Sequence, residues 1–139
     1  MHSRSDYVPL HLHTEYSLLD GAIRIGELVE QAAAFKMPAV AITDHGNLFG
    51  AVEFYNRATK AGLKPIIGCE VYIAPGSRLE RKNTANVDEA SFHFILLAKD
   101  NRGYRNLVTL VTKAYTEGYR FTKDIDFIAG KYTRILKPK

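Results

Sequence analysis

The sequence contains one cysteine, no tryptophan and no long apolar run. The single cysteine, Cys69, excludes an intrachain disulfide framework and is typical of a reducing compartment. The longest uninterrupted apolar run covers residues 94–98, whereas a transmembrane helix needs ~20 apolar residues. The N-terminal residues also lack the apolar segment of a secretory signal. We therefore expect a cytoplasmic protein without membrane association.

The composition is that of a globular domain, because 46% of the 139 residues are hydrophobic and 24% are charged. The net charge is +4, but residues 120–139 carry six basic and two acidic side chains, so the excess lies in this tail. Such a tail binds nucleic acid in some proteins and is only solvated in others. We place a domain at residues 1–127 and a basic tail or truncated end at residues 128–139.

Apolar periodicity predicts the element order β-α-β-α-β-loop-β-α. The predicted strands are residues 8–13, 39–43, 65–73 and 92–98, and a polar loop covers residues 75–91. Alternation of strands and helices favours an α/β fold with a mainly parallel sheet, either a barrel or an open sheet.

Three helices are predicted between these strands. The first covers residues 24–36. The second is capped by Asn47 and ends at Gly62, and its predicted buried face comprises Leu48, Val52, Tyr55 and Ala58. The third begins at Asp100 or Asn101 and is closed by Gly118.

Histidine and carboxylate side chains collect at the predicted strand ends. His11 and His13 lie on one face of the first strand, since side chains alternate with period two. Ligands bind at the carboxyl ends of parallel strands, and the further residues placed at that rim are Asp20, Asp44, His45 and Glu70. Imidazole and carboxylate together suit zinc, manganese or iron, and the chemistry that such a site supports is hydrolysis.

Each of these residues also has a simpler interpretation. Asp44 and His45 could form only a turn, and His93, which opens the fourth strand, could be structural. Glu70 is harder to dismiss, because a carboxylate in an apolar strand needs a metal or a basic partner. Cys69 is predicted to be an inert packed thiol. The loop side chains that could contact phosphates, or only be solvated, are Arg78, Arg81 and Lys82.

Several separated motifs resemble one known family. They are residues 11–21, 42–50 and 68–72, followed by residues 93–107 and 114–118. Together they resemble the PHP (polymerase and histidinol phosphatase) domain, in the form found at the N-terminus of bacterial DNA polymerase III alpha subunits. The similarity covers roughly residues 7–127, and the motifs occur in the family's order.

The resemblance implies a distorted seven-stranded β/α barrel, of which this chain is the first half, with up to three divalent transition metals at one rim. Its implied ligands are His11, His13 and Glu70 for one metal, Glu70 and His93 for a second, and Asp20 and His45 for a third. Asp44 is assigned to the catalytic site as a residue that orients a neighbour. Because His93 begins its strand, either that strand runs differently from the others or His93 reaches the site from a loop.

The resemblance also implies a function. The parent protein would be a replicative DNA-directed DNA polymerase that acts on DNA with other replicase subunits. The PHP site would be a metal-dependent phosphoesterase, in some relatives linked to 3′–5′ proofreading. A free-standing histidinol-phosphate type phosphatase and a metal-free structural module remain alternatives. We also expect the segment to self-associate through an unpaired strand edge, and to hydrolyse phosphodiesters slowly or not at all.

Overall fold

The computed structural model describes residues 5–18, 20–73, 92–117 and 126–127. Its helices are α1 (Ile25–Ala34), α2 (Ala51–Lys60) and α3 (Asn101–Glu117). Its strands are β1 (Ala39–Ile42), β2 (Lys64–Ile73), β3 (Phe92–Leu97) and β4 (Asp126–Phe127). Among these helices, none is long and apolar enough to cross a membrane. The predicted loop at 75–91 with its basic side chains, Gly118 and the tail at 128–139 lie outside the described residues.

Strand β2 organises the sheet, because every other strand pairs with it. Its first part, Lys64 to Ile67, runs parallel to β1, and its second part, Gly68 to Ile73, runs antiparallel to β3. Strand β4 pairs in parallel with the last two residues of β2. The predicted α/β class is confirmed, but the sheet is mixed rather than mainly parallel. Closure into a seven-stranded barrel stays a prediction.

The direction of β3 has a physical reason that the sequence contains. A parallel pair requires a crossover connection, usually a helix, whereas an antiparallel pair needs only a loop. The polar residues between β2 and β3 carry no helical periodicity. The antiparallel pairing is therefore the simpler connection, and the prediction of a mainly parallel sheet is wrong at this strand.

Residues 8–13, the first predicted strand, run beside β1 without forming a regular strand. The Ala41 amide donates to the Pro9 carbonyl at 3.1 Å, and the Thr43 amide donates to the Leu12 carbonyl at 2.8 Å. A step of two residues along β1, from Ala41 to Thr43, thus corresponds to a step of three residues along the N-terminal segment, from Pro9 to Leu12. Pro9 also has no amide proton to donate. The register is irregular, so this part of the predicted element order is wrong.

Helix α1 confirms its prediction, but α2 differs in its cap and in its buried face. Gly50, not Asn47, lies at the N-cap position of α2. The buried side chains of α2 are Ala51, Phe54 and Ala58, whereas Val52 is 66% exposed and Tyr55 is 54% exposed. Ala58 is buried as predicted, whereas Ala51 and Phe54 each lie one residue before the predicted Val52 and Tyr55. Both sets have helical spacing, so apolar periodicity alone does not separate them.

The core forms two clusters on one face of the sheet, because Ile67 of the first cluster and Cys69 and Val71 of the second alternate together along β2. In the first cluster, α1 and α2 pack against β1 through Ile25, Val29, Val40, Ile42 and Phe54, among others. In the second, Leu107, Leu110, Val111 and Ala114 of α3 pack against Cys69 and Val71. Because side chains alternate along a strand, Glu70 and Tyr72 point away from α3.

Strand β3 exposes apolar side chains, including Phe94 at 46% and Leu97 at 40% of their surface. Apolar surface of this kind favours association. Self-association itself stays a prediction.

Phe54 is the largest fully buried side chain of the core. We expect Phe54→Ala to lower the free energy of unfolding by about 3–5 kcal/mol, because it removes buried area and leaves a cavity. Val52→Ala on the same helix is the matched control and should change it by less than about 0.5 kcal/mol. Urea denaturation followed by circular dichroism measures both. Equal effects of the two substitutions would contradict the observed face of α2.

Candidate metal centre

The carboxylate of Glu70 lies at the centre of the candidate site and is 1% exposed. Its Oε2 atom lies 2.5 Å from His11 Nε2 and 3.0 Å from His13 Nε2. Its Oε1 atom contacts His93 Nδ1 and lies 3.5 Å from His45 Nδ1. The two carboxylate oxygens therefore face two different pairs of imidazoles, an arrangement in which one carboxylate can serve two sites.

His93 reaches Glu70 because β3 is antiparallel to β2. The register places His93 opposite Tyr72, two residues beyond Glu70. The start of an antiparallel strand lies at the same edge as the end of its partner, so His93 meets residues from the strand ends. Of the two explanations that the sequence left open, the structure has the one in which this strand runs differently, since it is antiparallel to β2.

His45 and Asp20 form a second group beside the first. The His45 Nε2 atom lies 2.8 Å from Asp20 Oδ2, and the rings of His13 and His45 are 4.0 Å apart between centroids. Two sets of three donors, each with ligand atoms within 4.8 Å of one another, thus share His13: His11, His13 and Glu70, and His13, Asp20 and His45. The structure brings together all six side chains that the sequence proposed as ligands.

One side of the site is buried and the other side is exposed to solvent. Glu70 is buried, and the side chains of His13 and His45 are 21% and 24% exposed. The side chains of His11, Asp20 and His93 are more than half exposed. A small molecule or a strand of polymer can therefore approach the group from solvent.

The electrostatics of the group favour a neutral His13 beside a charged Glu70. Burial, followed by the charge of His45, lowers the pKa of His13 below its ordinary value. Burial alone would raise the pKa of Glu70, but hydrogen bonds from His11 and His93 and the charge of His45 outweigh it and lower that pKa. At neutral pH the group thus contains an ionised carboxylate and an unprotonated imidazole, which are the forms that bind metals.

Asp44 lies behind these donors, is 2% exposed and anchors the turn that carries His13. Its Oδ1 atom accepts hydrogen bonds from the Thr14 amide at 2.6 Å and from the Ser17 hydroxyl at 2.7 Å. Its Oδ2 atom accepts one from the Thr14 hydroxyl at 2.8 Å. The predicted role of Asp44, to orient a neighbour, agrees with these contacts and stays a prediction.

The turn itself is tight. A Cβ atom placed on Gly21 would lie 1.9 Å from the Thr14 carbonyl oxygen, so only glycine allows this approach. Asn47, which was expected to cap α2, donates instead to the carbonyls of Tyr16 and His45, each at 3.0 Å. It thereby joins the turn to the segment that carries His45.

Sequence reasoning did not single out Thr14, Ser17 or Tyr72 at this site. The Tyr72 hydroxyl lies 2.9 Å from His45 Nδ1, and its ring packs edge-on against His93 at 4.5 Å. The period of two along β2 places Tyr72 on the same face as Glu70, so its position was predictable. Thr14 and Ser17 carry no such signal, because their placement depends on the turn.

Comparison with known proteins identifies the family. The family model described as the PHP domain matches residues 9–137. The DNA polymerase III subunit alpha of Chlamydia trachomatis is 50% identical over 120 residues, which are 86% of this chain and 10% of that protein. The subunit of Thermus aquaticus is 50% identical over 128 residues, 91% of this chain and 10% of that protein. The chain thus spans about a tenth of the length of these curated relatives.

Two solved structures share the fold. An amidohydrolase from Chromobacterium violaceum, with bound sulfate and no metal, superposes with a TM-score of 0.52 at 24% identity, covering 76% of this chain and 34% of the other. A protein from Bifidobacterium adolescentis, described as a metal-dependent phosphoesterase, superposes with a TM-score of 0.51 at 20% identity, covering 78% and 34%. At these identities the likeness concerns the mixed α/β fold alone.

Cys69 lies next to Glu70 along the chain but faces α3, and its thiol is fully buried. Its Sγ atom donates to the Asp44 carbonyl at 3.4 Å. Burial, reinforced by the charge of Asp44, raises the pKa of this thiol to about 12. The structure therefore agrees with a packed thiol rather than a nucleophile.

We expect Cys69 in the folded chain to react with Ellman's reagent at pH 8 roughly a thousandfold more slowly than in urea, because only the thiolate attacks and its fraction is minute at this pKa. The release of nitrothiobenzoate measures both rates. The urea-unfolded chain is the control and should titrate as one thiol. A native rate equal to the unfolded rate would contradict the burial of Cys69.

Proposed function

This chain belongs to the PHP domain family, and we propose that it forms the N-terminal part of the PHP domain in a bacterial replicative DNA polymerase alpha subunit. We further propose that its site binds divalent transition metals and hydrolyses phosphoesters. The observation that carries the proposal is the convergence of four histidines on the buried carboxylate of Glu70.

The donor set fits a transition metal better than an ordinary ion pair. The ion-pair partners of Glu70 among the described residues are histidines, not lysine or arginine. With its pKa lowered, the His13 imidazole does not supply a fixed positive charge as arginine would. An ionised buried carboxylate needs such a charge nearby. Imidazole nitrogens with carboxylate oxygens suit zinc, manganese or iron.

Each donor has a proposed place. His11, His13 and Glu70 would hold one ion, Glu70 would be shared with a second site at His93, and Asp20 and His45 would hold a third. This assignment follows the family resemblance and agrees with the two donor sets that share His13. A divalent ion supplies Lewis acidity, which activates water and offsets negative charge on a phosphoryl group.

The chain's own residues form both the buried part and the solvent-exposed part of the site. Glu70 and the half-buried His13 and His45 hold fixed positions from two strands and a tight turn. The exposed His11 and His93 stand at the solvent side, where a phosphodiester would enter. The neighbour described as a metal-dependent phosphoesterase gives a precedent for this chemistry on the same fold.

Polymerisation, binding of DNA and contact with other replicase subunits are proposed for the whole protein, by analogy with the alpha subunits that match this chain. Proofreading by the PHP site is the proposed use of the phosphoesterase chemistry. A metal-free brace for the polymerase is the competing outcome of the metal experiment below. A free-standing phosphatase is the other alternative, and polymerase motifs further along the parent protein would exclude it.

We expect the chain, purified without chelator and dialysed, to retain zinc, manganese or iron, and Glu70→Gln to retain at least about tenfold less. His93→Ala should lose less metal than Glu70→Gln, because His93 serves one site and Glu70 serves two. Elemental analysis by mass spectrometry measures the content. Glu27→Gln, on the exposed face of α1, is the control and should retain the wild-type amount.

Metal below about a tenth of an equivalent in the wild-type chain would contradict the proposed metal site and favour the structural module. A folded Glu70→Gln variant that retains as much metal as the wild type would also contradict the proposed metal site.

We expect any hydrolysis of bis-(p-nitrophenyl) phosphate by the chain to require manganese or zinc, to stop with chelator and to fall at least about a hundredfold in His13→Ala, because a displaced ion loses its alignment. Nitrophenol release measures the rate. Ser5→Ala, which removes a hydroxyl that accepts from the Tyr7 amide, is the control. Metal binding without hydrolysis agrees with the slow or absent activity expected of this segment, and chelator-insensitive hydrolysis would contradict the mechanism.

A further inference from the structure

The hydroxyl of Ser17 lies between the buried carboxylate of Asp44 and the ring of His13. The Ser17 hydroxyl donates to Asp44 Oδ1 at 2.7 Å. The backbone amide of His45 donates to Ser17 Oγ at 3.1 Å, and His13 Nδ1 lies 3.2 Å from the same oxygen. Ser17 is 1% exposed, so these three neighbours surround it without solvent.

The hydrogen-bonding capacity of a hydroxyl decides the direction of the last contact. A serine hydroxyl has one proton to donate and two lone pairs to accept. Its proton is used by Asp44, because a carboxylate only accepts, and one lone pair is used by the His45 amide, which only donates. The remaining lone pair can meet His13 Nδ1 only if that nitrogen carries a proton.

We propose that Ser17 is a positioning residue that holds His13 in the tautomer protonated on Nδ1. Nε2 of His13 then carries a lone pair, which can accept from His11 Nε2 at 2.9 Å. The same nitrogen lies 3.0 Å from Glu70 Oε2, and a shared cation would offset this contact between two acceptors. A histidine that ligates through one nitrogen usually donates its other N–H to an oxygen, and this donation fixes the ring. The consequence for metal affinity rests on the proposed function, whereas the tautomer itself does not.

Backbone hydrogen bonds hold Ser17 in its turn beside Asp44 and His13. The Ser17 amide donates to the Thr14 carbonyl at 2.9 Å, and the Gly21 amide donates to the Ser17 carbonyl at 2.8 Å. Thr14 in turn holds Asp44 through its own amide and hydroxyl. The order of contacts therefore runs from Thr14 through Asp44 and Ser17 to His13 Nδ1.

The test uses the full chain labelled with ¹⁵N in its histidines, wild type and Ser17→Ala, with Ser17→Thr as the variant that keeps a hydroxyl. Long-range ¹H–¹⁵N correlation spectra of the metal-free protein report which nitrogen of His13 carries the proton. Competition with a chromophoric chelator reports the affinity for Zn²⁺. Ser5→Ala, which removes an exposed hydroxyl elsewhere, is the matched control, and thermal melts verify folding.

We expect wild-type His13 to be protonated on Nδ1, Ser17→Ala to lose that preference and to bind Zn²⁺ roughly 10–100-fold more weakly, and Ser17→Thr to restore both. A wild-type spectrum with the proton on Nε2 overturns the proposal, even if Ser17→Ala does not fold. A folded Ser17→Ala with unchanged tautomer and affinity overturns it as well.

The two proposals fail separately. If the wild type binds no Zn²⁺ but the tautomer changes in Ser17→Ala, the role of Ser17 is supported and the proposed metal site is wrong. If Zn²⁺ binds and the tautomer is unchanged in a folded Ser17→Ala, the metal site stands and the role of Ser17 is wrong.

Discussion

The buried charge of Glu70 constrains everything around it. A carboxylate removed from water is tolerated only with hydrogen-bond donors or a cation at its oxygens. Strand β2 places this group at 1% exposure in the middle of the sheet, so neighbouring segments have to deliver partners to it. The partners come from the N-terminal segment, from the end of β1 and from the start of β3, and all are imidazoles.

Asp44 is a second buried carboxylate, and it also needs hydrogen-bond donors at its oxygens. It receives its hydrogen bonds from the backbone amide and hydroxyl of Thr14 and from Ser17, so its charge organises a turn rather than an open site. The two carboxylates lie on opposite sides of the His13 ring. Asp44 reaches Nδ1 through the Ser17 hydroxyl, and Glu70 lies directly at Nε2. One ring is thus held from both sides, and the turn cannot move without disturbing the donor group.

Local pattern and simple chemistry predicted the helix at 24–36, the buried strand at 39–43 and the gathering of His11, His13, Asp20, His45 and Glu70 at one rim. They succeeded because periodicity and strand ends are properties of short segments. They failed where the answer depends on distant contacts. The buried face of α2 depends on what Phe54 meets. The irregular run beside β1 depends on a register that only the pairing with β1 shows, and the proposed role of Ser17 depends on three groups that only the fold assembles. The direction of β3 was missed for another reason, because the lack of helical periodicity in the connection before it was not used.

Strand β2 pairs through six consecutive residues with β3, and this pairing sets His93 opposite Tyr72. The position of His93 relative to Glu70 is therefore determined by the sheet and not by the chain between Ile73 and Phe92. The entropy of closing a loop grows only slowly with its length. Residues could thus be inserted into this connection, or a reporter or affinity peptide grafted there, while the geometry of the histidines is preserved. The length of the connection can therefore change without changing the register between β2 and β3 that sets the distance from His93 to Glu70.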